Sequence, residues 1–353
     1  MELIDHIPVR YTNHSRLHEV NWDDVGFGNY ISDHMLVCHY NNRRWNTAHI
    51  TPFGELSLSP ATLALHYGQS IFEGMKAFRL DDGRINIFRM EKHYERFQKS
   101  AERMCMPVID RDVFFDGLRQ LVEVDRDWVP EKEGMSLYIR PFMFASEARF
   151  GVKVSDEYYF IIFTGPVGPY FSHPIRVKVE TLYVRAARGG TGCAKCAGNY
   201  GGAFFPTKMA REEGYDQVLW TDAAENRFIE ESGTMNVMFV INGKLVTPPL
   251  SDSILDGITR DSLLAIARQK NFQVEERPVS VEELESALKD HTLTEAFGAG
   301  TAAVTSPICA IGINGHDYTI PAAKTPVADQ LTHELDAIRR GKTKDIFGWN
   351  DIR

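Results

Sequence analysis

Tyr158-Tyr-Phe-Ile-Ile-Phe-Thr164 is a run of aromatic and β-branched side chains that stops abruptly at Gly165-Pro-Val-Gly-Pro169. The run has strand length, and its apolar groups fall on both alternating faces, so it predicts a central strand covered on each side. The Gly/Pro cluster behind it predicts a break in the regular structure. In a chain of 353 residues, a break near the middle gives two bodies of ordinary domain size. We read residues 1–167 as a smaller N-terminal domain, 168–178 as an interdomain linker and 179–353 as a larger C-terminal domain.

Both halves mix hairpins with helices and neither alternates strand and helix regularly, which predicts an α+β fold. In the first half, Phe78–Leu80 and Ile85–Phe88 flank the turn pair Asp82-Gly83. Tyr94, Phe97, Ala101 and Met104 then share one helical face, and Val113, Phe114, Leu118, Leu121 and Val122 make a second apolar stripe before a strand over Met135–Phe144. In the second half, strands are expected over Ile175–Ala187 and Val218–Thr221, and a hairpin joins Met235–Ile241 to Lys244–Pro248 around Asn242-Gly243. Helices are expected over Thr259–Lys270, Val281–Lys289 and Val327–Arg340.

Charge narrows the function classes. Lys+Arg number 39 against 48 Asp+Glu, a formal net charge of −9, and no basic run interrupts that deficit, so neither nucleic acid nor an anionic membrane surface is an expected partner. Small anions remain accessible to local basic pockets. No apolar stretch approaches the length of a bilayer span, and Met1–His6 lacks a leader pattern, which together predict a cytoplasmic protein. The five cysteines, Cys38, Cys105, Cys193, Cys196 and Cys309, are too few and scattered for a disulfide framework. Cys193 and Cys196 form a CxxC with no second pair at zinc spacing, so no metal site is expected.

Phosphate and nucleophile templates fail in turn. Gly341-Lys342-Thr343 lacks the leading glycine of a P-loop, where Asp336 stands. Gly298-Ala-Gly300-Thr-Ala-Ala303 fits GxGxxA, but Pro307 stands where the following helix would run. Neither His18-Glu19 nor His333-Glu334 is followed by the second histidine of a metalloprotease, and no GxSxG occurs.

The stretch Gly189–Gly202 surrounds Lys195 with small residues. An isolated lysine in such a loop is most often a solvated charge. One held among small residues can instead be partly desolvated, which lowers its pKa and frees the amine to form a Schiff base. Lys195-Cys-Ala-Gly198-Asn199-Tyr200 resembles the lysine segment of fold-type IV pyridoxal-phosphate enzymes, in particular the branched-chain amino acid aminotransferases. Six further segments match in order: His66-Tyr67 through Phe72-Glu73-Gly74 to Phe78, Ile87-Phe88-Arg89, Tyr138-Ile-Arg140-Pro141, Glu231-Ser-Gly233-Thr234-Met-Asn236, Leu255-Asp-Gly257-Ile258-Thr259-Arg260 and Phe297-Gly-Ala-Gly300-Thr301-Ala302. The similarity runs from about Gly26 to Thr305.

The resemblance implies a two-domain fold-type IV architecture, with a smaller N-terminal α/β domain and a C-terminal domain built on a mixed, barrel-like sheet. It implies pyridoxal 5′-phosphate as cofactor and transamination of leucine, isoleucine and valine with 2-oxoglutarate, in ping-pong order. Lys195 would be the catalytic residue and cofactor anchor. Arg89, the backbone of Ile258 and Thr259, and Thr301 would hold the phosphate, Tyr200 the phenolic oxygen and Glu231 the ring nitrogen. Glu230, the strand neighbour of Glu231, points to the opposite face and reads as a solvated charge. Tyr67, Arg140 and the backbone at Thr301 and Ala302 would receive carboxylates, while Phe27, Phe72, Tyr138, Val152, Tyr170 and Thr234 would line the apolar pocket. The partners implied are amino acids, 2-oxo acids and a second copy of the chain, a homodimer with the pocket at its interface.

Two departures from the family pattern stand out. Asp256 replaces a frequent proline, and Ala303 and Ser306 occupy the places of a redox CxxC found in some relatives. Relatives sharing the lysine and glutamate include D-amino-acid aminotransferases and aminodeoxychorismate lyases, and a silent cofactor-binding protein could share the scaffold; the YIRP segment and the aromatic set favour the branched-chain enzyme.

Overall fold

The computed structural model describes residues 7–170, 173–324 and 326–353. Its residue contacts divide the chain into two units. One gathers residues 7–170, Ala194–Gly198 and Arg339–Arg353, and the other residues 173–193 and Asn199–Ile338.

The first unit is an antiparallel sheet carrying helices. Among the described residues its strands run in the order Asn350–Ile352, Ile85–Phe88, Met75–Arg79, Ser136–Ala145, Tyr158–Val167, His34–Asn41 and Arg44–Trp45. His49–Pro52 also pairs with His34–Asn41, and Ser70–Phe72 with Ser136–Ala145. Tyr158–Val167 lies inside the sheet, as its two apolar faces require. Helices Met90–Arg103 and Arg111–Val124 follow the two expected stripes. Phe97, Phe114, Leu118 and Leu121 on them join Leu36, Leu137 and Phe160 of the sheet in one core.

The second unit closes on itself. Among its described strands, Ile229–Ser232, Gln217–Thr221, Ile175–Glu180, Val304–Ile313, Leu293–Gly300 and Met235–Ile241 pair in that order, and the last pairs back to the first. This six-strand barrel is mixed: Ile175–Glu180 is parallel to both neighbours and the other pairs are antiparallel. Val177, Leu219, Val237, Phe239 and Ile311 are buried in a single cluster. The turn at Asn242-Gly243 forms with both residues at positive φ, 51° and 72°, as a tight hairpin needs. Ser280 accepts from Glu283 N–H at 3.0 Å and starts helix Val281–Lys289. No described helix is long and apolar enough to cross a membrane.

The units depart from the expected boundaries. Residues 339–353 belong with the N-terminal half, because Asn350–Ile352 completes its sheet against Ile85–Phe88, and the unit built on that half is not the smaller one. The strand before the expected linker runs on to Val167, with Pro166 opposite Leu137. Gly165 is tolerated there because Tyr30 O approaches so closely that a Cβ would lie 2.2 Å from it. Residues 171 and 172 of the expected 168–178 linker lie outside the described residues. The strand expected over Ile175–Ala187 ends at Glu180.

Candidate active site

Lys195 is built into the first unit. Ala194 and Cys196 are buried and Lys195 between them is half-buried, the alternation of an extended chain. That segment lies against Ser70–Phe72: Cys196 bridges Ile71, Phe72 N–H donates to Lys195 O at 3.0 Å and Ala197 N–H to Ser70 O at 3.0 Å. Lys195 N–H donates to Ser100 Oγ at 3.0 Å. Its Nζ stands 4.7 Å from the centre of the Phe72 ring, a cation–π contact.

Five of the expected substrate residues share ring contacts beside this lysine segment. Phe27 meets Tyr138 and Tyr170 edge-on, each at 5.0 Å. The Arg140 guanidinium lies 4.8 Å from the Phe72 ring centre and 5.2 Å from that of Tyr138, and its Nη2 donates to the Tyr138 hydroxyl at 3.0 Å. Arg140 Nε is buried with no hydrogen-bond acceptor among the described residues. Gly74 is required here, since a Cβ would lie 2.0 Å from the Tyr138 hydroxyl. Tyr67 and Val152 stand apart from this set. They are 43% and 82% exposed, and neither takes part in its ring contacts.

Arg89 is buried at the N-cap of helix Met90–Arg103 with φ +55°. A left-handed non-glycine residue costs of order 1–3 kcal/mol and persists where the surroundings hold it. Here Arg89 N–H donates to Trp349 O at 2.8 Å, and the guanidinium sits 4.7 Å from the Trp349 ring centre.

One network was missed in the sequence. Glu73 is fully buried, and Arg96 grips both its oxygens, Nε to Oε1 at 2.7 Å and Nη2 to Oε2 at 2.8 Å, while His93 Nδ1 meets Oε2 at 2.7 Å. Burial opposes ionisation of Glu73, but Arg96 and His93 override it and hold the carboxyl well below the usual range. Burial pushes the His93 imidazole down, against the pull of Glu73. The readable signal is the polar spacing Arg89, His93, Arg96, Ser100 along one helix face.

The second unit carries the other expected cofactor residues. Glu231 and Asn236 are opposite each other where the barrel closes. Glu231 Oε1 accepts from Leu255 N–H at 2.8 Å and Asn236 Nδ2 at 3.2 Å, and Arg185 Nε lies 2.7 Å from Oε2. Asn236 Nδ2 also donates to Leu255 O at 3.0 Å. The carboxylate is thereby tied to the start of helix Ile258–Gln269, whose N-cap, Gly257, offers no side-chain cap. A Cβ on Gly257 would lie 1.8 Å from Asn236 Oδ1, so only glycine fits. Ile258 is buried and Thr259 half-buried in the first turn, where N–H groups have no partner within the helix.

Thr301 and Ala302 form the turn between Leu293–Gly300 and Val304–Ile313. Val304 closes it at φ +65°, an outlier for a β-branched residue. Tyr200 is half-buried in the short helix Gly198–Gly201, and Thr234 is exposed in the turn after Gly233. Glu230 corrects the sequence reading: it is 8% exposed, the Ser253 hydroxyl donates to its Oε1, and its Oε2 has no hydrogen-bond partner among the described residues. Burial pushes its carboxyl up. Arg185 and Asn236 carry no catalytic pattern of their own and were missed as parts of the Glu231 site. All five cysteines are free thiols.

Comparison with known proteins places these residues in context. Residues 70–311 match the family Amino-transferase class IV. The chain is 44% identical over 331 residues to branched-chain-amino-acid transaminase 1 of Bacillus subtilis (strain 168), covering 92% of this chain and 93% of that protein. In structure it is similar to a branched-chain aminotransferase of the archaeon Thermoproteus uzoniensis solved with norvaline, with TM-score 0.74 and 26% identity over 90% of this chain and 99% of that one. Its fold is also that of the branched-chain amino acid aminotransferase of Thermobaculum terrenum solved in its PLP-form, with TM-score 0.72 and 24% identity over 89% of this chain and 97% of that one.

Proposed function

The chain belongs to the class IV aminotransferases, and from that premise we propose that it transfers the amino group of leucine, isoleucine and valine to 2-oxoglutarate, with pyridoxal 5′-phosphate as cofactor. The observation that carries the reading is the lysine segment: Lys195 is hydrogen-bonded into the unit that holds the Phe72, Tyr138 and Arg140 cluster.

The donor set fits such a cofactor. A buried carboxylate, Glu231, is held in place by Leu255 N–H, the Asn236 amide and Arg185, and a carboxylate is the chemistry that keeps a pyridine nitrogen protonated. The glycine-started helix at Ile258 suits a phosphate. When bound, pyridoxal phosphate supplies an electron sink for charge developing at the substrate α-carbon.

The protein's own residues do the rest. Lys195 Nζ would anchor the cofactor and, as a free amine, would take the proton from the substrate α-carbon. Glu231 would hold a proton at the ring nitrogen. Tyr200 would donate to the phenolic oxygen, and Arg89, the N–H groups of Ile258 and Thr259, and Thr301 would bind the phosphate. Arg140 receives a carboxylate through donors that include Nε, with Ala302 N–H and Tyr67 assisting. Phe27, Phe72, Tyr138, Tyr170, Val152 and Thr234 surround the aliphatic group, each buried carbon contributing about 0.8 kcal/mol. The exposure of Tyr67 and Val152 suits residues that serve the pocket of a second copy in a homodimer. The protein works in the cytoplasm.

The test is a donor panel with added cofactor: leucine, isoleucine, valine, aspartate and D-alanine against 2-oxoglutarate, read as kcat/KM. Branched donors lead by at least an order of magnitude, since leucine buries several more carbons than alanine. A preference for D-alanine or aspartate reassigns the activity. Borohydride reduction followed by denaturation leaves the cofactor on Lys195, and none is retained by Lys195→Ala.

A further inference from the structure

The lysine is not held only by its strand-like pairing. We propose that Ser100 is a positioning residue for Lys195, which couples the lysine backbone to the helix that begins at Arg89. The proposal rests on the reading of Lys195 as cofactor anchor.

Ser100 is fully buried in helix Met90–Arg103, an interior position where serine is a weak helix former. Its hydroxyl donates to Arg96 O at 2.9 Å and accepts from Lys195 N–H at 3.0 Å. The first bond is the usual local back-bond of a helical serine. The second reaches 95 residues along the chain and serves no need of the helix.

The peptide groups of Lys195 are therefore gripped from both sides. Its N–H is held by the helix through Ser100 and its C=O by the strand through Phe72 N–H. Helix and strand are themselves locked together, because Glu73, next to Phe72, receives Arg96 and His93 from the helix. Arg89, His93, Arg96 and Ser100 are spaced four, three and four residues apart, so they share a face. The base of the Lys195 side chain is thus pinned within this buried frame, and Nζ moves by side-chain torsions alone.

Removing the hydroxyl leaves the Lys195 N–H without its acceptor and loosens the base from which Nζ must find its geometry, where misplacement by an ångström costs about a hundredfold in rate. In Ser100→Ala, kcat falls about tenfold with a smaller change in KM for leucine, and the pH at which the absorbance of the cofactor–lysine link titrates moves from its wild-type position. The apoenzyme melts within about 3 °C of wild type, and amide exchange by mass spectrometry rises in the Lys195 peptide but not in the peptide over 104–124. Ser100→Thr, which keeps the oxygen, retains wild-type exchange in the Lys195 peptide.

Exchange, absorbance titration and kcat all unchanged in Ser100→Ala, with the reduced cofactor on Lys195, overturns the proposal alone. If Ser100→Ala does not fold, faster exchange in Ser100→Thr overturns it. Recovery of the reduced cofactor on another lysine overturns the functional reading and the proposal with it.

Discussion

Nε of Arg185 lies 2.7 Å from Oε2 of Glu231, with 9% and 4% of the two side chains exposed. The contact is an ion pair rather than an aligned hydrogen bond, since Arg185 Nε meets no acceptor at hydrogen-bonding angles, while its Nη2 donates to Gly192 O and Ser253 O. Removing one partner of a buried pair strands the other charge, at about 3–5 kcal/mol. Arg185→Met therefore lowers the urea midpoint of the apoenzyme, and Arg185→Met/Glu231→Gln loses less than the sum of its single changes by at least about 1 kcal/mol. Additive losses would show that the two side chains do not interact.

The neighbouring carboxyl behaves oppositely. Burial raises Glu230 above its ordinary range. A raised acid contributes stability that is fully present below its unfolded pKa, about 4.3, and is lost as pH rises through the folded value. Glu230→Gln accordingly matches wild type near pH 4 and exceeds it at pH 7 in thermal midpoint. In kinetics Glu231→Gln loses roughly 10²-fold in kcat and Glu230→Gln only severalfold. Equal kinetic losses in the two variants would remove the ring-nitrogen assignment.

Gly257 offers a steric test of the helix start. Its Cβ would overlap Asn236 Oδ1, and Asn236 is 5% exposed and bonded to Glu231 and Leu255, so it cannot turn aside freely. Gly257→Ala weakens cofactor binding by tenfold or more, roughly the loss of one good hydrogen bond to a charged group, as measured by titrating apoenzyme with pyridoxal phosphate. Unchanged affinity would mean that Asn236 does not set the approach to Ile258 and Thr259.

Acid stability reports the Glu73 clamp. A depressed carboxyl contributes stability that is present above its unfolded pKa, about 4.3, and is lost as pH falls below that towards the folded value. Burial opposes ionisation, but Arg96 and His93 depress the Glu73 carboxyl all the same. Glu73→Gln is thus less stable than wild type by about 3–5 kcal/mol at pH 7, and the difference narrows as pH falls from about 4.5 towards about 3. A constant difference across that range would assign the loss to packing rather than charge.

Local pattern carried much of the fold. The stripes through Phe97 and Leu118 became helices, Asn242-Gly243 made its hairpin and Tyr158–Val167 took an interior place in its sheet, because periodicity and turn chemistry act between residues close in the chain. The motifs around Lys195, Glu231 and Gly257 were legible for a similar reason: each is a short string of residues whose joint occurrence is improbable.

What the sequence by itself determined is therefore the most strongly patterned elements, the α+β class and the short strings that mark the family. Tertiary structure alone decided that Lys195 belongs with Ser70–Phe72 and Ser100, that Asn350–Ile352 completes the first sheet, and that Glu230 is enclosed. Those outcomes depend on pairings between residues tens to hundreds of positions apart, which leave no period in the chain. The burial of a carboxylate is likewise a property of what surrounds it, and a strand read alone shows only that Glu230 and Glu231 face opposite ways.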